Sequence, residues 1–543
     1  MKLQIMLVRL FFLITLLSGF SALVAQTDFT SPLPIIVIDT EGDNIPDEPK
    51  VRATMGIIDN GPGQANSTSD AFNGYDGFVG IEVRGSSSQS VFPKKGFSVE
   101  TRDADGEDID VSLLGFPEEE DWVLHGPYSD KSLIRNALAY HLAGQIMDYA
   151  PRTRMTEVII DGEYRGVYLF TERIKRDKNR VDISKLTPDE NTGDDLTGGY
   201  ILKLDKFTGE TGDEPVQFVS RYNADTEEEQ TIRFLYHYPK PEDISLNQRV
   251  YIENWMNRFE DALASDRFLD SLEGYRQYVD LSSFVDFLII NEISRNVDGY
   301  RLSSYFSKDK DSKGGKLKMG PVWDFNLAFG NANYCGGAAA RGWGYDFGIN
   351  CPSDFWQLPF WWDRMREDPE FLDLFNERWK SLRADRFNDE RLNGTIDSLV
   401  AEMGSAVDRN FNRWPVIGEA IWPNVFIGDT YAEEIIYLKN WVADRTSWMD
   451  GAIRTLTSTN SVAAIGQLKV SPNPTSGVLK ISGLPTGQIE QLQLYDLNGR
   501  LRKTTRNLSS DNLISLGTQL PGMYIIRART SDGNIFSGRV VWQ

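Results

Sequence analysis

Histidine and cysteine are scarce: His125, His141 and His237 are the only histidines in 543 residues, and there are two cysteines. The histidines are scattered and none stands at metal-ligand spacing, so zinc chemistry and a Ser-His-Asp triad have little to draw on. Cys335 and Cys351 lie close together and suit one oxidised pair closing a glycine-rich loop. Basic charge is also short, with 57 Lys and Arg against 79 Asp and Glu, a formal charge of −22. No sustained Lys/Arg tract occurs, which argues against a nucleic-acid partner, because phosphate backbones demand a basic surface. Beyond the first 26 residues no apolar run reaches the roughly 20 residues that a bilayer span needs. No transmembrane anchor is expected.

The opening MKLQIMLVRLFFLITLLSGFSALVAQ has Lys2 and Arg9, an apolar run, and small residues near Ala22 and Ala25. This is the pattern of a secretory signal peptide over residues 1–26, and it predicts an exported chain. After it, LPIIVID, VRATMGIID and FVGIEVRG read as short strands of a small antiparallel sheet. The acids of DTEGDNIPDEP lack the glycine and closing glutamate of a calcium loop, and the segment reads as a turn. A Gly/Ser loop, GSSSQS, runs into a strand carrying Lys94 and Lys95, and DKSLIRNALAYHLAGQIM reads as a helix capped by Asp130 or Ser132. MTEVIIDGEYRGVYLFTERI is two strands about a D-G turn.

From about residue 247 helical periodicity takes over, broken by a hairpin formed by LSSYFSKD and KLKMGPVWDF. The small, polar segment 457–467 reads as a linker. Beyond it, alternating strands with Gly and Asn turns predict a small all-β sandwich over 468–543.

Asp298 and Asp324 stand either side of that hairpin. Phosphoryl transfer needs something to cradle nucleotide phosphates, something to hold a divalent metal and a group to orient the acceptor hydroxyl. The chain offers these in order: the loop Gly85, Ser86, Ser87 and Ser88, a lysine after it, and two aspartates bracketing a later hairpin. Read alone, each has a plainer meaning: Asp298 precedes Gly299 in a routine turn, and Asp324 suits the end of a strand.

The stretches RGSSSQSVFPKKGFSVE, DWVLHGPYSDKSLIRNALA, EVIIDGEYRGVYLFTERI, GGYILKLD, FVDFLIINEISRNVDGYRLSSYFSKD and GPVWDFNLAFGN resemble the spore coat protein H (CotH) kinase family over roughly residues 33 to 440. That family is similar to atypical, secreted protein kinases that use ATP and divalent metal, Mg²⁺ or Mn²⁺. The resemblance implies an α+β fold over 30–456, a protein-kinase-like two-lobed body with a sheet-rich N-terminal half and a helix-rich C-terminal half.

It further implies that Asp298 accepts or orients the hydroxyl proton and that Asp324 binds metal. Lys95, or alternatively Lys94, would neutralise phosphate, Gly85, Ser86 and Ser87 would close over the nucleotide, and Glu172 would contact it near a hinge. Arg135 and Asn136 would brace the helix behind the site. Two positions depart from the pattern: Ser303 stands where many kinases have a metal-binding Asn, and Asn326 where the family commonly has a second aspartate. Both offer uncharged oxygens at the metal, and hard cations favour anionic ones.

VSPNPTSGVLKISG, LYDLNGR and LPGMYIIRARTSDG resemble the type A C-terminal sorting domain of proteins exported by the type IX (Por) secretion system of the Bacteroidetes. This implies handling by that machinery and an address outside the cell or on its surface. The expected function is therefore a secreted kinase acting on Ser/Thr of an extracellular or envelope protein. The alternatives are a noncatalytic surface scaffold or adhesin on the same fold and, third, a carbohydrate-binding envelope module suggested by the aromatics of NYCGGAAARGWGYDF and DFWQLPFWWDR.

Overall fold

The computed structural model describes residues 28–543 apart from 208–215, 225, 227–228, 459–465, 476, 483–488, 497–500, 506–512, 516–520 and 531–534. The segment read as a signal peptide and most of the segment read as a linker lie outside the described residues. The chain divides into two compact units, one comprising Met1–Leu374 and Arg378–Thr446, the other Phe375–Glu377 and Ser447–Gln543.

In the larger unit seven strands close into a barrel: β1 (Ile35–Asp39), β2 (Val51–Ile58), β3 (Tyr75–Arg84), β4 (Gly96–Arg102), β5 (Asp121–His125), β6 (Thr153–Ile160) and β7 (Glu163–Glu172), in the order β1-β2-β3-β4-β5-β7-β6. The small antiparallel sheet expected at the N-terminus is thus the start of a closed barrel. Closure depends on a parallel pairing of β1 with β6, Ile35 opposite Glu157, between segments far apart in the chain. Alternating inward residues such as Ile36, Ile38, Val79, Ile81, Val99 and Phe170 fill the interior, and Trp122 stacks on Phe170 with ring centroids 5.1 Å apart. Each such side chain contributes about 1.5–3 kcal/mol through burial. The barrel is a packed core.

A second sheet of five strands follows, from β8 (Tyr200–Leu204), β9 (Gln217–Val219), β10 (Arg233–Tyr238), β11 (Ser304–Lys308) and β12 (Leu317–Met319), in the order β9-β10-β8-β11-β12. The hairpin read from the sequence is its β11–β12 edge, with Phe306 opposite Met319. On the Gly/Ser loop sits a short helix, α1 (Ser87–Val91), and α2 (Arg135–Gly144) follows β5. Asp130 holds the start of α2 by accepting the Arg135 N–H at 2.8 Å, although the capping position itself is Ile134.

Helix α3 (Leu246–Ala264) opens on a capping box of Ser245 and Gln248. Helix α4 (Leu281–Ser294) is capped by Asp280, and every residue from Phe284 to Ser294 is buried, which explains a pattern apolar nearly all round. Helices α5 (Pro369–Ala384), α6 (Asp389–Met403), α7 (Ala406–Arg413) and α8 (Tyr431–Ser458) follow, the last running into the segment read as linker. Cys335 and Cys351 are disulfide-bonded.

In the smaller unit a five-stranded and a three-stranded sheet share one core, in which Leu479 and Ile481 pack with Leu492, Leu494, Ile526 and Trp542. The whole is a mixed α+β protein, sheet-rich first, helix-rich later, with β-sheets at the C-terminus. Among the described residues no helix is long and apolar enough to cross a membrane.

Candidate active site

The site grows from the C-terminal end of α4. Arg295 ends that helix in a left-handed conformation (φ 42°), and the chain turns through residues 296–303 before entering β11. Gly299 leaves room there: a Cβ at that position would lie 2.4 Å from Asn291 Oδ1 and 3.0 Å from the Asn296 carbonyl, so these neighbours would have to shift. Asp298, beside it, is held by the buried Arg301, which donates to its Oδ1 at 2.6 Å. Arg301 also donates to the Trp356 carbonyl at 3.1 Å and lies 4.0 Å over the Phe347 ring. Beneath the loop, buried Glu292 accepts from Tyr300 at 2.8 Å and from Arg445 at 2.7 Å.

Asp324 follows β12. Its backbone is left-handed (φ 62°), and its N–H donates to Tyr140 Oη at 3.0 Å. Asn136 accepts the next N–H, that of Phe325, at 2.6 Å, and Arg135 donates to the Ala328 carbonyl at 3.1 Å, so α2 braces residues 324–328 from behind. Asn296 donates to the Asp324 carbonyl at 3.3 Å, joining the two aspartate-bearing segments. Asp324 is solvent-exposed yet closely hemmed by protein. Desolvation, then repulsion from Asp298 and Asp205, push its pKa up to about 7 against the pull of Arg84 and Lys206. Asp298 and Asp324 therefore act on each other electrostatically across the hairpin.

The Gly/Ser loop reaches the same place. Ser87 Oγ accepts from Lys206 Nζ at 3.1 Å, and Arg84, the last residue of β3 before the loop, lies 5.2 Å over the Trp323 ring. Gly85 is left-handed (φ 122°), and Ser86 precedes α1. Lys95 is directed elsewhere: its ammonium donates to the carbonyls of Gln89 and, at 2.7 Å, Phe92, within its own turn. Lys94 is buried and donates to Val167 O at 2.6 Å and Asn410 Oδ1 at 2.8 Å. Glu172 is buried at the end of β7, ion-paired to Arg152 at 2.6 Å and accepting from Tyr149 at 3.2 Å.

Ser303 is left-handed (φ 47°), and its N–H donates to the Asp205 carboxylate. Asn326 has its carbonyl bound by Asn331 at 2.9 Å. Asp205 and Lys206, which follow β8, were missed in the sequence because GGYILKLDKF reads as an ordinary strand. The available signal was an Asp-Lys pair at the end of an apolar run. Asp205 has a raised pKa, chiefly from desolvation, opposed by Lys203 and by the N–H groups of Lys206 and Ser303. The side chains that converge, Asp298, Asp324 and Asp205, offer carboxylate oxygens; Arg301 pairs directly with Asp298, while Arg84, Lys203 and Lys206 act on the other two. This set fits a hard divalent cation carrying an anionic ligand.

A family model described as CotH kinase protein matches residues 81–449, and one described as a secretion system C-terminal sorting domain matches residues 469–542. The first covers well over half of the chain, which belongs to the CotH kinase protein family. No curated protein matches the chain. The family implies ATP-dependent phosphotransfer with a divalent metal, and the tail indicates secretion and attachment at the cell surface by the type IX machinery.

Proposed function

We propose that this chain is a secreted atypical protein kinase that transfers the γ-phosphate of ATP to a Ser or Thr hydroxyl of an extracellular or envelope protein. Residues 30–456 form its kinase-like two-lobed body, 457–467 a linker and 468–543 the sorting sandwich. Asp298 accepts or orients the hydroxyl proton, with Arg301 fixing its carboxylate. Asp324 would hold Mg²⁺ or Mn²⁺, with Asn326 and Ser303 as neutral oxygens beside it. Gly85, Ser86 and Ser87 would close over a bound nucleotide. Lys95 serves by fixing the turn that carries them, and Glu172 by anchoring the end of β7 through Arg152. ATP supplies the phosphoryl group.

The observation that carries this reading is the mutual electrostatic influence of Asp298 and Asp324, in a place to which Lys206 also ties the Gly/Ser loop. Thermal stabilisation of the purified protein by ATP with Mg²⁺ or Mn²⁺, removed by Asp324→Ala, tests binding by mass action. Labelled-phosphate transfer abolished by Asp298→Ala tests the chemistry. The second reading, a noncatalytic surface scaffold, is favoured by the uncharged Ser303 and Asn326 and wins if ATP with metal leaves the melting temperature unmoved.

A further inference from the structure

We propose that the dipeptide Asp205–Lys206 completes this site, Asp205 as a further carboxylate ligand for the divalent cation and Lys206 as the ammonium that meets the nucleotide phosphates. The inference rests on the kinase reading and deepens it.

Strand order places the pair. In the second sheet β11 lies between β8 and β12, and the antiparallel register sets Leu204 opposite Ser304. The chain leaving β8 therefore emerges beside the start of β11, immediately after the loop that carries Asp298. Asp205 accepts the Lys206 N–H at 2.9 Å and also takes the Ser303 N–H, so its carboxylate is fixed against the very residue that departs from the family pattern. A cation held by Asp324 would find only neutral oxygens at Ser303 and Asn326. Asp205 brings the missing anionic oxygen from a different strand, and hard cations reward that charge.

Lys206 stands between the Gly/Ser loop and the carboxylates. Among the described residues its ammonium makes one hydrogen bond, to the neutral Ser87 Oγ, and no ion pair is formed. Its charge acts on Asp324. Lys95, by contrast, spends its donors on the carbonyls of its own turn. An ammonium bridging the phosphate-side loop and the metal-side acids is placed to neutralise a bound polyphosphate, and charge-assisted contacts of this kind are the strong ones.

Two binding measurements on the full mature chain, neither needing turnover, test the assignment. Mn²⁺ binding without nucleotide, followed by electron paramagnetic resonance, is expected to weaken about tenfold or more in Asp205→Asn. Affinity for a non-hydrolysable ATP analogue with Mn²⁺ is expected to fall by a similar factor, about tenfold, in Lys206→Ala and to recover in Lys206→Arg. Should Asp205→Asn fail to fold, Fe²⁺-directed cleavage of the wild-type chain by peroxide and ascorbate replaces it, and cuts beside Asp205 as well as near Asp324 are expected. Wild-type binding with unchanged affinities in both variants, or cleavage that spares residues around Asp205, overturns the assignment alone. No Mn²⁺-nucleotide binding by the wild type overturns the kinase reading and this assignment with it.

Discussion

Glu119, just before β5 of the barrel, and Asp324, beside the loop after α4, both have a pKa pushed up to about 7, and in both desolvation is the first cause. The surroundings differ. Glu119 shares its charge with Glu120 by a direct hydrogen bond, and Lys175 sits against both, 2.7 Å from Glu119 and 3.1 Å from Asp121. Arg180 adds a second cation 3.8 Å away. Asp110, Glu119 and Glu120 are near enough to one another to hold a metal ion, but a lysine ammonium already answers that charge.

Around Asp324 the arrangement is looser: Asp298 and Asp205 repel it and Arg84 and Lys206 attract it, but among the described residues none of these cations forms an ion pair with it. The backbone there is strained as well, with Arg295, Tyr300, Ser303, Asp324 and Phe329 all left-handed, a conformation costing about 1–3 kcal/mol for each non-glycine residue. A titration near neutrality is common to both places. An acid with no direct ion pair on a strained frame belongs to one, and perturbed acids of that kind mark candidate sites.

The contrast breaks most visibly in phosphotransfer. Asp298→Asn is expected to lower labelled-phosphate transfer by on the order of 10²–10⁴-fold, the usual range for a lost general base, whereas Glu119→Gln leaves it at the wild-type rate. Equal losses would dissolve the distinction. Next in size, Cys335→Ser opens the bond between positions 16 apart and should cost about 3 kcal/mol in urea unfolding, an amount that reductant reproduces in the wild type and adds nothing to in the variant. Arg301→Met, which frees the Asp298 carboxylate, should reduce kcat about tenfold, as loss of an orienting contact does, with nucleotide affinity unchanged. A matching fall in affinity would make Arg301 a binding residue.

The smallest effect is one of pH. Asp324 has a folded pKa near 7 against 3.8 ordinarily, so between these values the native state holds more protons than the unfolded chain. Its contribution to stability accordingly falls as pH rises through that window. Asp324→Asn should therefore raise the melting temperature of the nucleotide-free protein at pH 8 and change it little at pH 4. A variant less stable than wild type at pH 8 would mean that the carboxylate is compensated after all.

Local pattern carried much of this architecture. The β11–β12 hairpin was legible from alternation and its turn, and the D-G step marks a bend crowded by Asn291. Barrel closure was not legible, because the β1–β6 pairing joins segments whose own alternation suits any two-sided sheet. The lysines mislead for a similar reason. Lys95 follows a Gly/Ser loop and reads as a phosphate ligand, but its long side chain folds back onto carbonyls only three and six residues away. Lys206 reads as the polar end of a strand, while its hydroxyl partner Ser87 lies 119 residues earlier.

The Cys335–Cys351 bond also bears on when the protein matures. The span it encloses supplies the Gly342 carbonyl to Arg295 at 2.7 Å and the Gly344 and Tyr345 N–H groups to Glu292 at 2.8 and 3.1 Å, all beneath the loop bearing Asp298. Inside a reducing cytoplasm those two sulfurs remain thiols. The last covalent restraint on this region is thus added after departure from the compartment of synthesis, and completion of the fold beneath Asp298 is timed by the journey itself.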